Sequence, residues 1–220
     1  MSDKIKTSWQ SNAKEWIKVI DNNQIGSRQF TSKAIVDFLG ELSFQKLIDV
    51  GCGEGWLTRQ ITHFDREAVG VDGIEILLQN ARSKGNESFY KITYEEISEG
   101  EIIPDGPYDI AVFNFCLYQE RGLSELFRGI SKSLSMNGSI VVQTIHPYYL
   151  FQEGLEYKSQ LISDSWKGLP GNFIDGHTWY ARTFEDWFTV IQESGMKIKT
   201  LKEILNDQQL PVSLILHIAI

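Results

Sequence analysis

Residues 46–72 read KLIDVGCGEGWLTRQITHFDREAVGVD. Lys46 to Val50 is a short apolar run that forms a buried strand, and it stops at Gly51-Cys52-Gly53-Glu54-Gly55, a glycine-rich turn. From Trp56 the apolar positions change period. Leu57, Ile61 and Phe64 stand at i, i+4 and i+7, which predicts an amphipathic helix. A second strand, Ala68 to Val71, closes on Asp72. The segment is therefore a βαβ unit with a glycine-rich first turn and an acid ending its second strand, the arrangement with which an open α/β sheet holds a ribose-bearing ligand.

The glycine pattern narrows the ligand. A dinucleotide fingerprint is G-x-G-x-x-G, whose helix N-terminus meets a pyrophosphate. Here Trp56 holds the third glycine's position and the glycines read G-x-G-x-G, so a diphosphate is not expected. The stretch resembles the first motif of class I S-adenosylmethionine-dependent methyltransferases, D/E-x-G-x-G-x-G, matched by Asp49, Gly51, Gly53 and Gly55. The resemblance implies that Asp49, Gly51, Cys52 and Gly53 wrap the methionine part of S-adenosyl-L-methionine. It also implies that Asp72 accepts hydrogen bonds from the ribose hydroxyls, with Gly73 and Ile74 beside it. The plainer reading is a tight strand-to-helix turn with Asp72 capping the following helix. Against it stand the glycine loop, the period switch and the spacing of about 20 residues to the acid, which all agree.

At 220 residues the chain predicts a single domain with one core. Its net charge of −8 and the lack of a basic patch speak against a nucleic-acid partner. Cys52 and Cys116 are far apart and form no C-x-x-C pair, which fits a reducing compartment and argues against zinc. The start of the chain is too polar for a secretory signal, and no apolar run reaches membrane-spanning length, so the expectation is a cytoplasmic protein with no membrane partner. No metal is expected. The sequence leaves the oligomeric state open.

Upstream, Trp9, Ala13, Trp16, Ile17 and Ile20 share one helical face; Thr31 reads as the cap of a second helix with Ala34, Ile35, Phe38 and Leu39 inward. Trp16 reads as core. For Arg28 the resemblance implies a partner for the cofactor carboxylate, against a surface salt bridge.

Downstream, Ile74 to Ala81 is helical and ends near Gly85, and Ser88 to Thr93 reads as the third strand. The resemblance then puts an adenine contact among Thr93, Tyr94 and Glu95; alternatively Glu95 and Glu96 begin a solvated helical turn. Tyr108 to Phe113 is a fourth strand emerging at Asn114-Phe115-Cys116-Leu117, which the resemblance sets beside the transferable methyl group. The base-amine methyltransferases of the class carry prolines in this tetrad, and this chain has none. A helix through Leu123, Leu126, Phe127, Ile130 and Leu134 stops at Asn137-Gly138, and Ser139 to Thr144 is a fifth strand ending at His146-Pro147.

Tyr148 to Arg182 breaks the alternation. Rich in aromatics, glycine and polar residues, it reads as a lid without regular structure, with a loop over a sheet edge as the alternative. Thr183-Phe184-Glu185-Asp186 looks like a capping box opening a helix with Phe184, Trp187, Phe188 and Ile191 inward; Met196 to Ile204 and Val212 to Ile220 are the last strands.

The expected fold is α/β, a Rossmann-like doubly wound seven-stranded mixed sheet with its last strand antiparallel and helices on both faces. The chain divides into an N-terminal helical cap (1–45), a cofactor-binding core (46–146), a lid or substrate insertion (147–182) and a final helix with two strands (183–220). The expected activity is methyl transfer to a small-molecule acceptor, with His146 as the first candidate for proton handling, His177 the second, and Tyr148 beside them. Trp179, Tyr180 and Arg182 are the candidate acceptor contacts. Two alternatives stand beside this: a nicotinamide-dependent oxidoreductase, and a cofactor-binding protein of the same fold without activity.

Overall fold

The computed structural model describes residues 3–62 and 65–220; Phe64, assigned above to a helix face, lies outside them. Two helices, α1 (Asp3–Asp21) and α2 (Arg28–Glu41), precede β1 (Lys46–Val50), α3 (Trp56–Thr62) and β2 (Glu67–Asp72). Then follow α4 (Glu75–Lys84), β3 (Ser88–Lys91), α5 (Tyr94–Glu99), β4 (Tyr108–Asn114), α6 (Leu123–Ser131) and β5 (Leu134–Ile145). The chain continues through α7 (Tyr148–Gln152), β6 (Gln160–Ile162), β7 (Trp179–Ala181) and α8 (Phe184–Glu193), and finishes with β8 (Lys197–Leu205) and β9 (Pro211–Ala219).

The main sheet has seven strands in the order β3-β2-β1-β4-β5-β9-β8. Neighbours among β1 to β5 are parallel, and β9 runs antiparallel to both β5 and β8. Side chains alternate between two layers. Leu47, Ile110, Val112 and Val141 meet Ile35, Phe38 and Leu39 of α2 on one face. Ile48, Ala111, Phe113 and Val142 meet Ile97, Leu126, Phe127 and Trp187 from α5, α6 and α8 on the other. Strands covered on both faces are why β1 and β4 read as continuous apolar runs. No helix among the described residues is long and apolar enough to cross a membrane.

Several local expectations are corrected. Thr31 does not cap α2; it is buried one turn inside it, and its carbonyl accepts from Gln143 Nε2 at 3.0 Å. The third strand stops at Lys91, because Thr93 closes a capping box with Glu96 that starts α5. Leu134 belongs to β5 and not to α6: Tyr108 N–H donates to Ser133 O at 2.9 Å, which draws the chain onto β4 as soon as the helix ends. The pairing resumes at Ser139 after an excursion that leaves Met136 94 % exposed. The region after β5 is not irregular throughout, since it holds α7 and the antiparallel pair β6–β7. Thr183 accepts from the Asp186 amide as a cap, and Phe188 faces outward, half exposed.

Between β6 and β7 the chain crosses the C-terminal ends of the strands and is fastened to α1. Asn12 Nδ2 donates to Ile174 O (2.6 Å) and Asn12 Oδ1 accepts from Ile174 N–H (2.8 Å). Ser8 Oγ donates to Asp175 O (2.7 Å) and accepts from Trp166 Nε1 (2.9 Å), and Glu15 Oε1 accepts from Asn172 N–H (2.9 Å). Trp166 stacks on Phe173 with centroids 4.7 Å apart and meets the edge of Trp9 at 4.7 Å. Residues distant in sequence thus form one cover.

Candidate active site

A cavity of about 380 Å³ opens where strand order reverses between β1 and β4, beyond their C-terminal ends. Its floor is the Gly51–Gly55 turn after β1, Asp72 to Ile74 after β2, Thr93 to Glu95 after β3, and Asn114 to Cys116 after β4. Its roof is α1 and the β6–β7 loop, through Trp9, Trp16, Ser165, Trp166 and His177.

Asp72 is fixed from two sides. Its Oδ2 accepts from the Gly53 amide at 3.0 Å and its Oδ1 from the Ile74 amide at 2.8 Å. Each oxygen keeps a further lone pair for a ligand hydroxyl. Burial pushes this carboxyl up to about 6, against the pull of the two amides, and the charge of Glu54 adds to the rise. Asp49, deeper still, receives the Thr58 hydroxyl at 2.9 Å; burial, with Glu54 and Asp72 nearby, raises it to about 7. Glu54 is buried too, taking Trp16 Nε1 at 3.1 Å on one oxygen while the other has no partner. Three carboxyls thus gather at one cavity end, with the Arg28 guanidinium lining it beside Glu54. Arg28 stacks on Trp56, its Cζ 4.6 Å from the ring centroid, with burial lowering its pKa and Glu54 opposing that.

The backbone leaves room for a ligand where one is needed. At Gly53, φ is +57° and, among the described residues, the only neighbour a Cβ would meet is Trp16 Nε1 at 4.0 Å, so the cavity comes up to the main chain itself. Phe115, past the end of β4, is also left-handed at φ +50°, held by its amide on Gln143 O at 2.8 Å. Asn114 Oδ1 beside it is buried without a partner. A glycine backbone open to the cavity and a clamped acid at the second strand end with free lone pairs fit the ribose-bearing part of a nucleoside cofactor.

All the residues assigned above to the cofactor line this cavity: Arg28, Asp49, Gly51, Cys52, Gly53, Asp72, Gly73, Ile74, Thr93, Tyr94, Asn114 and Phe115. His177 and Trp179 line it as well. His177 is 4 % exposed, its Nδ1 lies 2.8 Å from Ser165 Oγ, and its Nε2 has no partner. Burial depresses this imidazole to about 4, so the ring is neutral. Tyr118 and Trp166 meet it edge-on at 5.4 and 5.6 Å.

His146 is elsewhere. Its Nδ1 accepts from the Tyr148 amide at 2.9 Å and its Nε2 faces Glu203 Oε1 at 2.8 Å, so both ring nitrogens are engaged and the residue lines a small neighbouring chamber instead. Tyr180 and Arg182 line that chamber too, whereas Tyr148 lines neither and stacks on Phe151. Trp16, read as core, is half-buried and faces the cavity. Glu54, Tyr118 and Ser165 carry no sequence signal as site residues: Glu54 is the variable position between two glycines of the turn, and the other two sit in segments without periodicity.

A family model described as a methyltransferase domain matches residues 43–209, and the chain belongs to that family. It is a class I S-adenosylmethionine-dependent methyltransferase. An uncharacterized methyltransferase of Schizosaccharomyces pombe is 25 % identical over 179 residues, covering 79 % of this chain and 67 % of its own. The ubiquinone biosynthesis O-methyltransferase of Rickettsia akari is 21 % identical over 206 residues, 93 % of this chain and 80 % of its own. Among solved structures, an S-adenosylmethionine-dependent methyltransferase from Mesorhizobium loti superposes with a TM-score of 0.64 at 20 % identity, covering 86 % of this chain and 96 % of that one. The 1,6-didemethyltoxoflavin-N1-methyltransferase of Burkholderia thailandensis, solved with 1,6-didemethyltoxoflavin and S-adenosylhomocysteine, gives 0.69 at 13 % identity over 98 % and 87 %. At these identities the structural likenesses speak to the fold.

Proposed function

We propose that this enzyme methylates a small-molecule acceptor with an aromatic or otherwise flat body, bound under the cover formed by α1 and the β6–β7 loop. The observation carrying this reading is the continuity of one cavity from Asp72 to His177, whose far wall is Trp9, Tyr118, Trp166 and Trp179 and whose buried Nε2 there lacks a partner. Rings supply contact area at little entropic cost, and a lone polar atom among them fixes orientation. Relatives named for ubiquinone biosynthesis and for a bound toxoflavin derivative act on or bind small molecules, which is consistent with it. The two free cysteines support a reducing, cytoplasmic setting.

When bound, S-adenosylmethionine supplies an electrophilic methyl carbon on a sulfonium. Asp72 would hold the ribose hydroxyls and the glycine loop the amino-acid part. The aromatic roof excludes water. Positioning is most of what such a displacement requires. His177, with a conjugate acid as strong as about pKa 4, is far from the operating pH of an efficient base, so it acts as an orienting hydrogen-bond partner of the acceptor.

Calorimetric titration with S-adenosylhomocysteine tests the cofactor assignment: Asp72→Ala weakens binding by about 1–3 kcal/mol. Unchanged affinity removes Asp72 from the site, and binding of NAD in place of S-adenosylhomocysteine restores the oxidoreductase reading. For the acceptor, His177→Ala lowers turnover across an acceptor library and leaves S-adenosylhomocysteine affinity within about twofold.

A further inference from the structure

Tyr94 opens α5, beyond the edge strand β3, but its side chain does not stay there. The ring reaches past β2 and β1 in the strand order, and its hydroxyl donates to Cys116 O, just after β4, at 3.2 Å. It also rests on the turn after β1: a Cβ built on Gly51 would lie 2.5 Å from the phenolic oxygen. Cys116 Sγ in turn donates to Val50 O at 3.1 Å, which ties the ends of β4 and β1 to one another. Phe113 meets the Tyr94 ring edge-on, centroids 6.3 Å apart, and braces it from the core. Tyr94, Gly51 and Cys116 are each partly exposed, and all three line the main cavity. They meet at the phenol tip, so the tip belongs to the cavity floor.

Burial, with Cys116 beside it, holds this phenol well above its ordinary pKa, so it stays protonated. Its one proton goes to Cys116 O, and among the described residues no hydrogen-bond donor is directed at its oxygen, which leaves that oxygen able to accept from a ligand. Position along the cavity follows from the neighbours. In the methyl-transfer reading above, the glycine turn takes the amino-acid part of the cofactor and the 114–117 tetrad borders the transferable methyl group; the phenol tip touches both segments. Resting on that reading, we infer that Tyr94 contacts the sulfonium end of the cofactor through its hydroxyl oxygen, accepting from the polarised methyl group, and leaves the adenine to Thr93 or Glu95. An oxygen placed there favours the charged cofactor over the spent one, because S-adenosylhomocysteine lacks both the methyl group and the positive charge.

Tyr94→Phe removes the oxygen and keeps the ring. Calorimetric titration of this variant is expected to show S-adenosylmethionine weakened about fivefold and S-adenosylhomocysteine changed by less than about twofold. In the unsubstituted protein, nuclear Overhauser effects filtered through ¹³C run from the labelled methyl of S-adenosylmethionine to the Tyr94 ring protons beside the hydroxyl, so the result does not depend on a variant folding. Equal weakening of both ligands, unchanged affinity for both, or no Overhauser effect between the methyl and Tyr94 overturns the inference. Failure of the unsubstituted protein to bind S-adenosylhomocysteine is a separate result, which removes the cofactor assignment itself.

Discussion

Gly53 and Gly55 both take positive φ, +57° and +77°, yet a methyl group at each would meet different surroundings. At Gly55 it would lie 2.6 Å from the Phe89 ring and 2.9 Å from Ala81, both packed in a buried cluster. Gly55→Ala is therefore expected to lower stability by about 1–3 kcal/mol, read by urea denaturation. At Gly53 the methyl would project into the cavity, so Gly53→Ala costs only about 1 kcal/mol in folding and weakens S-adenosylhomocysteine by tenfold or more in a titration. Asp72 adds a pH signature. Protonation below about pH 6 removes a lone pair that the ribose needs, so affinity declines as pH falls through 6 in wild type and is flatter in Asp72→Asn. Glycines and acids of this kind are legible in sequence because their spacing is local. The two histidines were not separable that way. His146 follows a strand directly and looks exposed to chemistry, but Glu203, 57 residues away, engages it; His177 sits in an aperiodic segment that only the closed cover turns toward the cavity.

At the scale of elements, periodicity located β1, β2, β4 and the helices α3 and α4 because each has a continuous or one-sided apolar pattern that packing against the sheet requires. It failed where a partner strand overrides local preference, as when β4 pulls Leu134 out of the α6 pattern. The clip between α1 and the β6–β7 loop was equally invisible, since it rests on side-chain amides and hydroxyls bonding to a backbone more than 150 residues away. Asn12 is its centre. Asn12→Ala removes both hydrogen bonds to Ile174, and amide exchange across 164–177 should accelerate while strands β1 and β4 keep their protection. Unaltered exchange there would mean that the aromatic contacts of Trp9, Trp166 and Phe173 suffice to hold the cover.

For the molecule as a whole, the buried acids of the cavity strain the ligand-free fold. Asp49 has a folded pKa of about 7, above the ordinary 3.8, so its contribution is fully favourable below 3.8 and is lost as pH rises through 7. Ligand-free protein should thus lose stability between about pH 4 and 8, and Asp49→Asn, compared with wild type by urea denaturation at pH 5.5 and pH 8, should narrow that loss. A ligand reverses it by mass action. S-adenosylhomocysteine at 100 times its Kd adds about 2.7 kcal/mol, a rise in Tm of roughly 5–11 °C for a chain of this size. The cover also ties binding to the order in which the chain is made. The cavity floor is complete in sequence by Tyr118, but the roof joins the first helix to a loop ending at His177. On the ribosome, a partial chain carries the glycine turn and its acid with α1 alone to lie above them. Until that loop has emerged and docked, such a chain has no enclosed space in which to retain a cofactor.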